Sequence, residues 1–274
     1  MLKAWKISRS LNSEQRSIIE QKQVKLNRPI GELIELLQPI ANMDTNMSNA
    51  GCSTGCSMFV VVAVAIGGNV AGTAMNLSRS VLSAWFLFCV VLFFAPLVIY
   101  LKTRNLNVSD NLRVTGLPLL HLLREDADLT EAMHLELDLR EPMAKEKLVR
   151  TESPRQRMSE KYYRDPWMRA ELVLADGSRL RWSIDDMLRH RTVTKKASSG
   201  KWKTKTKDSR KCTVDVELTV RNKFYEVAGA SETGEKKSTL TASKTMKIAG
   251  SEPANPKLIV EVISDVFQQL RPAK

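Results

Sequence analysis

The sequence predicts an α+β membrane protein, in which a two-helix transmembrane hairpin is followed by a mainly antiparallel β-rich soluble domain closed by a C-terminal helix. Three observations lead to this fold class. Residues 58–101 contain no charged residue except Arg79. Several later segments alternate apolar and polar residues with period two, which is typical of half-buried strands. The last segment of the chain carries an apolar stripe at helical spacing.

The same observations divide the chain into three parts. Residues 1–57 form an N-terminal amphipathic helical arm and linker, residues 58–101 the transmembrane hairpin, and residues 102–274 a basic β-rich domain. The formal net charge of the 274-residue chain is +12, and most of the excess lies in the last part. A basic domain favours anionic partners, which are nucleic acids, acidic proteins or anionic lipids.

The N-terminal arm is predicted to contain two helices. Residues 12–27 form a polar helix that Asn12 or Ser13 caps, and residues 29–39 form a second helix that Pro39 ends. The second helix has one apolar face, so it either lies on a bilayer or docks on protein. Two glutamates on its polar face favour docking. A polar linker rich in Gly and Ser leads from this helix to residue 57.

The hairpin rests on two apolar runs, residues 58–75 and 81–101. A helix needs roughly 20 apolar residues to cross a bilayer. The alternative is a buried hairpin of a soluble protein. The five-residue link makes the two helices antiparallel neighbours, so both flanks face the same side. Lys102 and Arg104 place that side in the cytoplasm by the positive-inside bias, which predicts an N-in, C-in protein integral to a membrane, expected to be a bacterial inner membrane.

The first run also contains a GxxxG spacing, Gly68 to Gly72, with Asn69 between them. Two glycines on one helix face let another backbone approach closely. This face packs either against the second span of the same chain or against another copy, which would give a homo-oligomer. Asn69 can hydrogen-bond across either contact.

The C-terminal domain is predicted to have about six strands. Residues 133–140 alternate strictly, and two alternating runs flank Asp176-Gly177, a hairpin turn. The following residues 184–189 are helix-like, residues 213–220 alternate again, and residues 238–250 make a weaker strand. Asn255 caps the last helix and Pro256 opens it.

The candidate binding residues are lysines before the 213–220 strand. Period-two spacing puts Lys201, Lys203, Lys205 and Lys207 on one face of a strand and points Trp202 inward. The row either guards an exposed strand edge, or binds an anionic surface, which is anionic lipid or an acidic protein. Nucleic acid is disfavoured because only one aromatic residue accompanies the charges. The predicted anionic-surface site comprises Lys195, Lys196, Lys201, Lys203, Lys205 and Lys207.

No constellation of residues indicates a reaction, a metal or a cofactor. One strand face shared by His134, Glu136 and Asp138 is either a metal half-site or a polar surface. Cys212 lies among basic residues, which can lower a thiol pKa, but no partner base is identifiable. The remaining candidates form a helix-surface cluster of Asp185, Asp186 and His190.

These features predict a two-pass membrane protein that presents a basic cytoplasmic β-rich domain for protein or anionic-lipid interaction and assembly. One alternative is an oligomeric pore or channel built from the transmembrane hairpins. A second alternative is a membrane-attached enzyme of unknown chemistry.

Overall fold

A computed structural model describes the residues 9–43, 64, 78, 80, 83–85, 87–91, 93–94, 98, 108–227, 232–234, 236–250 and 252–273. The chain divides into two compact units. One unit comprises Met1–Glu20 and Pro39–Asn107, and the other comprises Gln21–Gln38 and Val108–Lys274. The second unit contains every strand described below.

The membrane-spanning hairpin is a wrong prediction. Within the described part of the chain, no helix is long and apolar enough to cross a membrane. The integral-membrane localisation and the N-in, C-in topology lose their basis with it. Of the first predicted span, residues 58–75, only Val64 is described, and the second span, residues 81–101, is described in pieces. The packing face predicted for Gly68, Asn69 and Gly72 lies outside the described residues.

The second unit is a mostly antiparallel β-sheet protein with few short helices. Eight strands form one sheet in the order β1-β2-β4-β5-β6-β9-β8, with β3 pairing β4, and β7 pairs β10 separately. Four strands are long, and they make the sheet much taller at its centre than at its edges. The strands are β1 Gln23–Arg28, β2 Met133–Asp138, β3 Leu148–Arg155, β4 Met158–Val173, β5 Arg179–Lys196, β6 Trp202–Arg221, β7 Tyr225–Val227, β8 Glu232–Thr233, β9 Lys237–Ala249 and β10 Leu270–Pro272.

The helices are short. Asn12 caps α1, the helix that starts at Ser13, since its Oδ1 accepts a hydrogen bond from the Gln15 backbone N–H at 2.7 Å, and the Gln15 Oε1 accepts one from the Asn12 N–H at 3.0 Å. Asn255 caps the last, as predicted, by accepting from the Lys257 N–H at 3.0 Å. Besides helical residues at 9–10 and within 64–98, the described α-helices are α1 Ser13–Gln21, α2 at 30–43, α3 Leu117–Leu123, which a π-helical turn Leu112–Gly116 precedes, and α4 Pro256–Phe267.

The sheet has a core face and an open face along most of its height. On β6 the even-numbered residues from Arg210 to Val220 are buried, whereas the odd-numbered residues between them point to the open face. Helix α4 packs on the core face against β6 and β9 through Ile259, Val262 and Val266. The side chains on the open face are mostly polar, as on β6, where the odd-numbered residues from Lys211 to Thr219 are all polar or charged.

A bulge in β4 separates a lower and an upper half of the sheet. The register with β5 shifts between Pro166 and Met168, and the buried Trp167 occupies the extra position. β4 pairs with β3 before the bulge, which is the upper half of the sheet, and with β2 after it, which is the lower half. The part of the upper half farthest from the bulge is named the ribbon; it consists of residues 148–160, 189–196 and 202–209, most of which are exposed.

Several local predictions fail, two of them because pairing within the sheet overrides local pattern. Residues 184–189 belong to β5 rather than to a helix. The first helix ends at Gln21, and the following residues form β1, which pairs with β2. Helix α2 continues through Pro39 to residue 43. The turn at Asp176-Gly177 is confirmed: Gly177 has a φ of +76° and its N–H donates to the Leu174 carbonyl at 2.8 Å.

Candidate anion-binding groove

The open face of the ribbon contains a groove of about 790 Å³. Met158 and Val193, which are cross-strand partners, form its apolar floor. Seven of its thirteen lining residues are Lys or Arg and, among the described residues that line it, none is acidic. The groove is named the basic groove, and its cationic side chains belong to Arg155, Arg191, Lys195, Lys196, Lys203, Lys205 and Lys207.

The strand register explains why these cations converge. Lys195 pairs with Lys203, Val193 with Lys205, and Arg191 with Lys207. Directly paired residues of antiparallel strands project to the same face, so two strands contribute to one row of charge. Arg155 joins from β3, where it pairs with Met158.

The predicted site residues are therefore mostly brought together. Lys195, Lys203, Lys205 and Lys207 share the open face. Lys196 pairs with Trp202, which places its Cβ on the other face, although it still lines the groove rim. Lys201 is exposed in the hairpin turn and is not among the lining residues.

Trp202 is not a core residue, which corrects its predicted inward position. It projects from the face opposite the lysines, but the ribbon has no core there, and 52% of its surface is exposed. The Arg157 guanidinium stacks on its ring at 3.7 Å from the centroid. A second arginine, Arg150, covers the ring of Tyr162 at 4.2 Å. Each of these two rings is thus covered by a protein cation.

Two basic residues of the ribbon, Arg189 and Arg191, share one buried counter-charge. The Glu160 carboxylate lies 2.6 Å from Arg189 and 3.4 Å from Arg191, and it accepts a hydrogen bond from the Tyr162 hydroxyl at 2.8 Å. The hydrogen bond from Arg189 holds the pKa of Glu160 below its usual value. By contrast, Lys195, Lys203, Lys205 and Lys207 form no ion pair with any described residue.

The lower half of the open face is different, because its charges are balanced. Arg181 lies 2.7 Å from Glu171 and 3.2 Å from Glu217, and Arg179 lies 2.8 Å from Glu171. Lys25 contacts Glu136 at 2.6 Å. The excess positive charge of the open face is therefore concentrated in the ribbon.

The candidates for metal binding do not converge on a site. His134 lies 3.4 Å from Glu136, but Asp138 is held by Arg140 at 2.6 Å and by Lys147 at 3.3 Å. Within the described ranges, no group of three or more His, Cys, Asp or Glu side chains is placed to hold a metal ion.

The cluster of Asp185, Asp186 and His190 is divided by the strand that replaces the predicted helix. Asp185 faces the open side and pairs with Arg164 at 2.7 Å, whereas Asp186 is buried on the core face. His190 binds Asp208 at 2.6 Å. Cys212 is buried beside Asp186, and burial raises the pKa of its thiol, which is the opposite of what a nucleophile needs.

A buried row of charges on the core face was not predicted. Lys147 contacts Asp165 at 2.6 Å, and Asp186, which is paired with Asp165 across the strands, contacts Arg210. Arg210 also donates to the side-chain oxygen of Asn111 at 2.8 Å. Both aspartates are fully buried, so this row has no access for a substrate.

Two groove residues, Arg155 and Arg191, were also not predicted. A signal for Arg191 exists in the sequence, since Arg189, Arg191, Val193 and Lys195 alternate in the same way as the lysines. No local signal identifies Arg155, because only the pairing of β3 with β4 brings it to the groove.

Comparison of the chain with protein-family models, with curated proteins and with solved structures finds no match.

Proposed function

We propose that this protein is a binding module whose basic groove takes an acidic segment of a partner protein. The observation that carries the proposal is the row of lysines without counter-charge over an apolar floor. Four aligned ammonium groups repel one another, so a ligand that supplies carboxylates at the same spacing relieves the repulsion. The apolar floor adds contact area for the ligand's aliphatic side chains.

The shape of the groove and its surroundings favour an acidic protein over other polyanions. A single-stranded nucleic acid would stack its bases on exposed aromatic faces, but Arg157 and Arg150 cover the rings of Trp202 and Tyr162. A flat anionic bilayer would contact cations that protrude from a protein surface, whereas the cations here line a groove. The pore and membrane-enzyme alternatives depend on a hairpin that no described helix provides.

Titration of the full chain with a fluorescent glutamate-rich peptide tests the proposal. We expect saturable binding that weakens strongly between 0.05 M and 0.5 M salt, because screening shortens the Debye length. Changing Lys203, Lys205 and Lys207 to Gln is expected to weaken binding about tenfold, as three exposed ion pairs contribute roughly 0.2–1 kcal/mol each.

The matched control removes the same charge from the other end of the sheet. Lys223, Lys236 and Lys237 are exposed and lie near the Arg221 end of β6. Their replacement by Gln is expected to change the affinity less than threefold. Equal weakening by the two triple variants would mean that net charge, and not the groove, attracts the peptide, and the proposal would be wrong.

A further inference from the structure

One edge of the lysine strand is open. Strand β9 pairs with β6 from Arg221 to Ser209 and then ends at Ala249. Beyond that point β6 pairs only with β5, and no other described strand lies against the opposite edge of residues 202–208. The ribbon therefore exposes about seven residues of strand edge, or roughly 23 Å at about 3.3 Å per residue.

The hairpin at the tip determines which backbone groups point to this edge. The Ala197 N–H donates to the Lys201 carbonyl at 2.7 Å, which makes these two residues a hydrogen-bonded pair. Such pairs recur at every second residue of an antiparallel ladder. The backbone groups of Lys203, Lys205 and Lys207 are therefore directed at β5.

The intervening residues have the opposite orientation. The backbone N–H and C=O groups of Trp202, Thr204 and Thr206 point to the open edge, in the direction that β9 occupies lower in the sheet. The hydroxyls of Thr194 and Thr204 lie 2.9 Å apart, which agrees with the close side-chain approach of a non-hydrogen-bonded pair. Unpaired strand edges of this kind are templates for another strand.

The side chains beside this edge select the strand that can join it. A strand added next to β6 places every second side chain on the open face, directly beside Lys203, Lys205 or Lys207. Lysines at these positions disfavour an apolar or basic strand and favour one with Asp or Glu at alternate positions. The same three lysines thus oppose edge-to-edge aggregation and select an acidic partner strand.

We infer that the acidic segment binds by strand addition, as an extra β-strand along residues 202–208 with its carboxylates opposite the lysines. The inference rests on the proposed function and specifies how the ligand is held: its backbone lies beside β6, and its carboxylates reach the lysines that line the basic groove. Backbone hydrogen bonds to Thr204 and Thr206 contribute affinity, and the lysines contribute charge specificity, which is the usual division in β-strand addition.

The probe is a blocked seven-residue peptide of alternating threonine and glutamate, with threonine at both ends, titrated against the full chain. In an added antiparallel strand, the peptide threonines opposite Thr204 and Thr206 direct their N–H groups at β6, and the glutamates direct theirs away. N-methylation of the two inner threonine amides beside the central glutamate is expected to weaken binding about tenfold, the loss typical of a hydrogen bond whose partner is left unpaired. N-methylation of two glutamate amides is the control, expected to change binding less than twofold.

A variant of the protein tests the same contact from the other side. Thr206→Pro removes one N–H that points to the open edge and leaves the ladder to β5 intact, because proline is tolerated on edge strands. We expect the Thr206→Pro variant to bind the unmodified peptide about tenfold more weakly than the wild type does. Thr206→Val keeps the N–H and is expected to bind like the parent.

The outcomes separate the inference from the function on which it rests. If the threonine-methylated peptide and Thr206→Pro both bind as the parents do, while the Lys→Gln triple variant binds weakly, an acidic segment binds without strand addition and the inference is wrong. If no peptide binds, the proposed function fails as well. Tighter binding of anionic vesicles or a single-stranded oligonucleotide, unaffected by Thr206→Pro, would also overturn the inference.

Discussion

Charged residues are usually exposed, but the row on the core face that contains Asp165 and Asp186 is buried. Asp165 and Asp186 face each other on β4 and β5, and each has one cation beside it. Burial raises the pKa of Asp165 to about 6, in spite of the hydrogen bond from Lys147. Asp138, nearby, is partly buried, but the hydrogen bonds from Arg140 lower its pKa.

The raised pKa of Asp165 predicts an unusual pH dependence. Its ordinary value is 3.8, so between pH 3.8 and about 6 the folded protein binds more protons than the unfolded chain. Stability from this group therefore rises as the pH falls through about 6. Urea unfolding of Asp165→Asn should show that the advantage of the wild type is greater at pH 4 than at pH 7, by roughly 2 kcal/mol at about 1.4 kcal/mol per pKa unit.

Asp138→Asn is the control with the opposite sign. Because the pKa of Asp138 is lowered, its stabilising effect is present above 3.8 and is lost as the pH falls below that value. The advantage of the wild type over Asp138→Asn should therefore not increase on acidification. A pH-independent difference between the wild type and Asp165→Asn would contradict the assignment of a raised pKa.

Among the elements, β6 shows how one strand can change its role along its length. From Arg210 to Val220 it alternates between buried and exposed residues, as a strand that covers a core does. From Trp202 to Lys207 it is exposed on both faces. The proposed binding segment and the core segment are therefore separated along one strand, and substitutions in the two parts have different consequences for stability.

Substitution of two tryptophans on the core side of the sheet tests this difference in stability. Trp182 in β5 is buried among core residues, so Trp182→Ala should destabilise the protein by about 3–5 kcal/mol. Trp202→Ala removes the contact with Arg157 and should cost about 0.5–1 kcal/mol. The free energies of unfolding in urea give both values. A loss from Trp202→Ala as large as that from Trp182→Ala would mean that the ribbon contains a core.

At the scale of the whole sheet unit, a packed lower sheet is joined to a ribbon on which no described residues form a core. The lower half has α4 on one face and balanced ion pairs on the other. The ribbon has two exposed faces and excess positive charge. Regions with few buried apolar contacts open at lower free energy than the core, and binding segments are drawn from such regions.

This division predicts the pattern of amide hydrogen exchange. Amides of residues 212–220 in β6 should exchange at least about tenfold more slowly than those of Lys203, Lys205 and Lys207, since opening of the ribbon does not require unfolding of the core. Within the ribbon, the amides of Thr204 and Thr206 should exchange fastest, because they point to the open edge. Mass spectrometry with fragmentation resolves these positions. Uniform protection along β6 would contradict both statements.

The sequence by itself determined several features of the structure, because these features follow from local chemistry. The turn at Asp176-Gly177 follows from the φ of +76° that glycine tolerates, and the start of α4 follows from the capping oxygen of Asn255. The common face of Lys203, Lys205 and Lys207 follows from the period of a strand. Each of these features depends on residues that are close in sequence.

The tertiary structure decided the features that depend on distant partners. Strand β1 exists because β2 lies beside it, and residues 184–189 extend because β4 and β6 pair with β5 on both sides. Apolar content alone suggested membrane spans, but content does not specify the length of a helix, and no described helix is long enough. Trp202 is exposed because the core ends below it, and Arg155 reaches the groove only through pairing of β3 with β4. Local pattern specifies the direction of a side chain, whereas what lies in that direction is set by contacts between segments far apart in the chain.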